Sequence, residues 1–164
     1  MDAHTPTYRD VDVVTTRSFV DAMASSAMGV SIVTTQGVAG QFGLTVSAWS
    51  SVSAEPPLVL ACINRKSPIV APLTVNGRFA INVLTEAQAG LARVFAGRSA
   101  DGRNYDFAAA GWHTSPEGDL MLDQSSAAFS CVLDSWHDAG THRIFIGRVE
   151  HVSTMRAEPL LYHN

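Results

Sequence analysis

Only two cysteines occur in the sequence, Cys62 and Cys131, each inside an apolar, strand-like run. So few thiols build no disulfide framework, and with no C-x-x-C pair the expectation is two buried thiols in a reducing, cytoplasmic setting. Long hydrophobic runs are missing too, since no stretch approaches the roughly 18 apolar residues that a membrane-spanning helix needs. The opening residues, MDAHTPTYRDVD, are polar and carry acids, unlike the basic and apolar regions of a secretion signal. There is no basic stripe, and the formal net charge of -4 sets nucleic acid aside as the main partner. Neither G-x-x-x-x-G-K-[ST] nor G-x-G-x-x-G is found, and the G-x-S-x-G of serine hydrolases is absent. The six histidines, His4, His113, His137, His142, His151 and His163, show no H-x-x-x-H spacing. His137 and His142 flank a turn, but with no third ligand evident a solvated turn is the better reading and no metal is expected.

What is present fits a single domain. A length of 164 residues with 46% hydrophobic content suits one ordinary core, with residues 1–14 as a loosely held arm and 15–164 as the domain. Phe19, Ala22, Met23 and Ala27 recur at helical spacing, with Thr16 or Ser18 as the cap. The segment 28–35, MGVSIVTT, is β-branched and alternating, and the glycines at 37 and 40 return the chain as an antiparallel strand over 41–48. Further strands are expected over 58–63, 79–84, 127–136 and 143–152. A short helix should begin at Ser67-Pro68, cap and first-turn proline, and stop near Asn76-Gly77. A second helix should follow the cap Thr85. Residues 98–118, rich in Gly, Asp and Ala, should loop over the surface, pinned by Phe107 and Trp112. About six strands in hairpin-like succession predict a mainly β fold with flanking helices, a closed or nearly closed barrel that protects its strand edges.

The most informative stretch runs from Gly43 to Pro68, GLTVSAWSSVSAEPPLVLACINRKSP. Thr45, Ser47, Ser50, Ser51 and Ser53 crowd beside Val46, Trp49 and Val52, a proline pair interrupts, and a second apolar run ends in Asn64-Arg65-Lys66-Ser67-Pro68. Small residues admit a flat ring to the backbone, hydroxyls and amides satisfy its polar edge, and the cationic end offers an anion seat. A helix N-terminus at Ser67 would add its free N–H groups. Two core strands joined by a loop, followed by a plain capped helix, account for the same letters, and Trp49 reads equally as a buried anchor.

Three motifs in order carry a resemblance: Gly43-x-Thr45-x-Ser47-Ala48-x-x-Ser51-Val52-Ser53-x-x-Pro56-Pro57, then Cys62-Ile63-Asn64-Arg65-Lys66-Ser67, and later Gly140-Thr141-His142-x-Ile144. The chain from about Phe19 to Val152 resembles the flavin reductase family, the small reductase components of two-component flavin-dependent monooxygenases of the phenol and hydroxyphenylacetate hydroxylase type. The resemblance implies a split β-barrel of the FMN-binding type, a homodimer, and FMN or FAD bound near the dimer interface. Carried over, Thr45, Val46, Ser47 and Ala48 border the flavin ring, and Ser51, Val52 and Ser53 continue that wall. Cys62, Ile63 and Asn64 run past the ribityl chain, with Arg65, Ser67 and Pro68 at the phosphate. His142 takes the place where the nicotinamide approaches, in a hydride transfer from NADH, with NADPH less favoured although Arg98, Arg103 and Arg143 are available cations. Reduced flavin would then leave for a separate oxygenase acting on an aromatic, phenol-type substrate. Trp49 departs from the family, whose members often carry a smaller residue there; it would narrow the pocket or stack on an adenine, which leaves FMN and FAD open. A flavin carrier that does not oxidise nicotinamide, and a relative that has lost its cofactor, are the competing readings.

Overall fold

Thr15, rather than Thr16 or Ser18, starts the first helix, α1 (Thr16–Ala24), in a computed structural model that describes residues 13–162. The Thr15 hydroxyl accepts from the Ser18 N–H at 3.1 Å, and the Ser18 hydroxyl accepts from the Thr15 N–H at 3.0 Å. This reciprocal box needs a hydroxyl at both ends of a three-residue step, which the pair 15 and 18 supplies. All but the last two residues of the expected N-terminal arm lie outside the described residues, as do His4 and His163.

Two short strands, β1 (Met28–Gly29) and β2 (Ser31–Thr35), replace the single strand expected over 28–35. The glycine-bearing reversal leads into β3 (Phe42–Val46), antiparallel to β2. Then come β4 (Trp49–Ala54), β5 (Pro57–Asn64), α2 (Val70–Asn76), β6 (Arg78–Val83) and α3 (Ala89–Phe95). A capping box between Thr85 and Gln88 opens a turn of 3-10 helix, Glu86–Gln88, ahead of α3. The loop after α3 carries β7 (Trp112–Thr114), which pairs with β8 (Leu120–Leu122). A long hairpin follows, β9 (Ala127–Ala139) and β10 (His142–Thr154), and β11 (Leu161–Tyr162) returns to pair with β1.

Seven strands form one sheet in the order β3-β2-β6-β9-β10-β5-β4. Its edge strands, β3 and β4, are consecutive in the chain and joined only by Ser47 and Ala48. Six inter-strand spacings of ~4.8 Å would hold those edges about 29 Å apart in a flat sheet. Three Cα steps reach at most about 11 Å. The sheet must therefore curl until its edges meet, although no ladder joins β3 to β4 among the described residues. That is the split barrel.

Its interior is filled by a cluster that includes Val33, Ala61, Ile63, Leu73, Phe79, Ile81 and Phe145. A second cluster, Val30, Ile32, Leu84, Leu91, Phe95 and Leu122, lies under α3 on the other side of β2, so every residue of that strand is buried. Phe107 and Trp112 pin the loop as expected, at 5.0 and 5.7 Å from the Phe95 ring centre. Gly43 is needed here for close approach, because a Cβ at that position would stand 2.6 Å from the Phe95 ring. The Thr45 hydroxyl donates to the Ala92 carbonyl at 2.8 Å, so the Gly43-x-Thr45 pair docks α3 onto β3.

Candidate functional site

At the end of β5 the chain turns sharply. The Asn64 side-chain oxygen accepts from the Lys66 N–H at 3.0 Å, and the Asn64 carbonyl accepts from the Ser67 N–H at 2.9 Å. α2 does not begin at Ser67-Pro68. Its first residue is Val70 and its N-cap is Ile69, with no side-chain capping bond. Ile69 is 1% exposed within the barrel core, and drawing it inward uses the extra turn over 67–69. The helix that follows is seven residues long, so the cations available to an anion at this corner are the side chains of Arg65 and Lys66, without a helix terminus.

The tip of the β9–β10 hairpin lies against this turn. Gly140 takes a left-handed φ of 58°, which closes the hairpin tightly between Ala139 and His142. The Arg65 N–H donates to the Thr141 carbonyl at 3.0 Å, and the β5–β10 ladder sets His142 opposite Asn64 and Arg143 opposite Ile63. Because side chains alternate, His142 and Ile144 share the outer face with Asn64 and Cys62, whereas Arg143 and Phe145 share the inner face with Ile63 and Ala61. His142 is exposed and its Nδ1 lies 2.9 Å from the Thr141 hydroxyl. His137 pairs with Ile144, not with His142, and no group of three metal-binding side chains exists among the described residues. Asn64, Arg65, Lys66, Val70, Gly140, Thr141 and Arg143 line a cleft of about 600 Å³.

Three charged groups cluster at this mouth. Asp138 accepts from Arg143 Nε at 2.7 Å and Nη2 at 3.1 Å, and Arg65 Nε approaches the same carboxylate at 3.5 Å. The Arg143 guanidinium lies 3.7 Å over the Trp136 ring. These cations hold the Asp138 carboxyl below the usual carboxylate range, the Arg143 hydrogen bonds contributing most. Lys66 makes no ion pair among the described residues, so it faces the cleft region as an unneutralised cation. The donor set suits a phosphate. Sequence reasoning passed over Asp138; the signal available was an acid and an arginine five residues apart astride a glycine turn.

The remaining expected positions are dispersed. Thr45 and Val46 belong to β3, where the hydroxyl serves α3 and Val46 is buried. Ser47 and Ala48 form the seam link, and the Ala48 carbonyl accepts from the Cys62 N–H at 2.8 Å. The Trp49 indole packs on Phe129, 6.0 Å between ring centres, and donates to the Gly29 carbonyl at 3.3 Å, the anchor reading of that residue. Ser51 and Val52 are exposed on the edge strand at a break in register, and the Ser53 hydroxyl accepts from the Glu55 N–H at 3.2 Å. Ser67 and Pro68 sit in the turn beside the cleft. Burial raises the Cys62 thiol and pushes Cys131 up to about 12, and both cysteines are free. A second cleft of about 550 Å³ lies between α3 and the following loop; its Arg103 is paired with Asp101 at 2.8 Å and with Asp106 at 3.9 Å.

Known proteins are similar to this chain in sequence and in fold. The chain is 38% identical over 154 residues to FMN reductase (NADH) RutF 2 of Methylorubrum extorquens strain PA1, covering 93% of this chain and 88% of that one. The NADH:FAD oxidoreductase SgcE6 of Streptomyces globisporus C-1027 superposes with a TM-score of 0.84 at 28% identity, over 96% of this chain and 95% of its own. BorF, the flavin reductase component of a bacterial two-component tryptophan halogenase, superposes with a TM-score of 0.81 at 30% identity, over 91% of this chain and 94% of its own. Residues 23–164, nearly the whole of the described barrel and its hairpin, match the family described as flavin reductase like domain, and the chain belongs to that family.

Proposed function

We propose that the protein is an NADH-dependent flavin reductase that reduces FMN or FAD and releases the reduced flavin to a separate monooxygenase with an aromatic, phenol-type substrate. One observation supports this reading above the others: the cationic turn at Arg65-Lys66 and the hairpin tip at Gly140-Thr141 meet at a single cleft, with His142 beside that tip opposite Asn64, in a chain of the flavin reductase like family. A bound flavin supplies the ring that accepts hydride from the nicotinamide. The chain's own residues bind and orient. Arg65 and Lys66, with the turn at Ser67 and Pro68, hold the phosphate end. The exposed edge at Ser51, Val52 and Ser53 and the outer-face residues Cys62 and Asn64 border the rest. His142, opposite Asn64, steers the nicotinamide. No acid–base pair is required for hydride transfer, in keeping with a cleft whose charged groups are cations and one neutralised carboxylate.

NADH is favoured over NADPH because Arg103 and Arg143 are already neutralised by aspartates, leaving less free charge for a 2′-phosphate. FMN is the first flavin to test, since the Trp49 indole is engaged by Phe129 and Gly29 and offers no adenine platform. A homodimer is supported by α1, which buries no residue in its own chain and exposes Phe19, Val20 and Met23. Two free thiols and no helix long and apolar enough to cross a membrane, among the described residues, accord with work in the cytoplasm. The decisive assay follows NADH absorbance with no flavin, with FMN and with FAD. Oxidation that requires added flavin and saturates with it is the expected result. Tight flavin retention without NADH turnover would replace the reductase by a flavin carrier.

A further inference from the structure

The Asp138 carboxylate serves two arginines unequally. Toward Arg143 it makes a bidentate pair at 2.7 and 3.1 Å, and that guanidinium is further held on the Trp136 ring, with 18% of its side chain exposed. Toward Arg65 it makes a single contact at 3.5 Å, and the Arg65 side chain is 52% exposed. The other Arg65 contact, to the Gly140 carbonyl, is also long at 3.4 Å. One partner is fixed and the other is loosely tethered. A loosely tethered, exposed arginine exchanges partners readily, because water and salt screen its pair.

We propose that Asp138 is a positioning residue for the anion seat, an internal counter-anion that occupies Arg65 until the phosphate of an incoming flavin displaces it. The proposal rests on the reading of Arg65 as the phosphate partner. Asp138 parks Arg65 at the mouth of the cleft, so that the guanidinium is in place before the ligand arrives. Its negative charge also opposes the phosphate it admits, which weakens binding and hastens release. A reductase whose product must diffuse to another protein gains from both effects. Arg143, fully satisfied by the same carboxylate, stays behind as the strut that keeps Asp138 in place.

Riboflavin, which has the ring of FMN without its phosphate, separates this role from a purely structural one. Dissociation constants for FMN and riboflavin would be measured by flavin fluorescence at low ionic strength, for the native protein, Arg65→Ala and Asp138→Asn. The native protein should prefer FMN, and Arg65→Ala should lose that preference. Asp138→Asn should tighten FMN by about five-fold and leave riboflavin unchanged, the scale of one exposed ion pair. Asp138→Ser, with no side-chain carboxylate and no isosteric amide, should show the same contrast. Equal affinity for the two flavins in the native protein would remove the phosphate seat itself. Loss of preference in Arg65→Ala, with FMN affinity unchanged or with both flavins weakened alike in the Asp138 variants, would overturn the counter-anion and leave the seat standing.

Discussion

Asp119 is 2% exposed, yet it is a carboxylate beneath the barrel. Arg78 Nη2 donates to it at 2.9 Å, and the Ser130 hydroxyl donates at 2.5 Å. Burial raises its pKa, against the lowering pull of those two hydrogen bonds, and burial wins. The sign follows from proton linkage. A carboxyl with a raised folded pKa binds its proton more tightly in the fold than in the unfolded chain, so its contribution to stability is fully present below the unfolded pKa. That contribution is lost as pH rises from the ordinary carboxylate range through the raised value. Asp119→Asn, which cannot ionise, should lack this component. Thermal midpoints of both proteins across about pH 4 to 7 test it: the native protein should lose ground to the variant as pH rises, and parallel curves would refute the assignment. None of this burial was legible in the sequence, where Asp119 directly follows the expected surface loop over 98–118.

Among elements, the β9–β10 hairpin has most to do. β9 pairs with β6 and β10 pairs with β5, and the tip carries Gly140-Thr141-His142. Each of its strands runs 13 residues, longer than the ten expected: β9 gains His137, Asp138 and Ala139 at the tip, and β10 gains His142 there and Ser153 and Thr154 at its far end, residues that carry no hydrophobic alternation to read. His142→Ala should lower kcat/KM for NADH about ten-fold, by loss of orientation, while flavin affinity holds. Steady-state kinetics with NADH varied at saturating flavin would measure it, and unchanged values would take His142 out of the reaction. The β2–β3 hairpin, β5, β6, the Asn76-Gly77 stop and the Thr85 start were all legible, since alternation and caps are local signals. The separation of Trp49–Ala54 from Phe42–Val46 to opposite edges was not, because a period of two says which face a residue takes and nothing about which strand lies beside it. For the same reason the Arg65-Lys66 turn and the Gly140-Thr141-His142 tip could be named from motifs, whereas the pairing of Asp138 with Arg143 and Arg65 needed the register of the hairpin.

At the scale of the whole molecule, the exposed apolar surface is uneven. Phe19 is 58% exposed on α1, and Leu161 and Tyr162 are 57% and 46% exposed on β11. A helix that starts with a well-made cap yet buries nothing in its own chain gains little from tertiary packing. If a second copy covers it, Phe19→Asp should weaken the dimer at least ten-fold, the cost of losing one central apolar anchor. Sedimentation velocity over a concentration series would read this, and a native protein that stays monomeric throughout would end the homodimer proposal.

The strand order has a consequence for how the chain can be divided. Ile63 meets Arg143 and Phe79 meets Cys131, so each of these strands from the middle of the chain finds its second neighbour only in the last third. A fragment ending before Ala127 would leave β5 and β6 each with one side bare and the barrel interior open. The C-terminal hairpin alone would have no core to close over. The polypeptide thus contains no smaller autonomous piece that keeps the cleft, and the Arg65-Lys66 turn and the His142 hairpin are made in the same closing event.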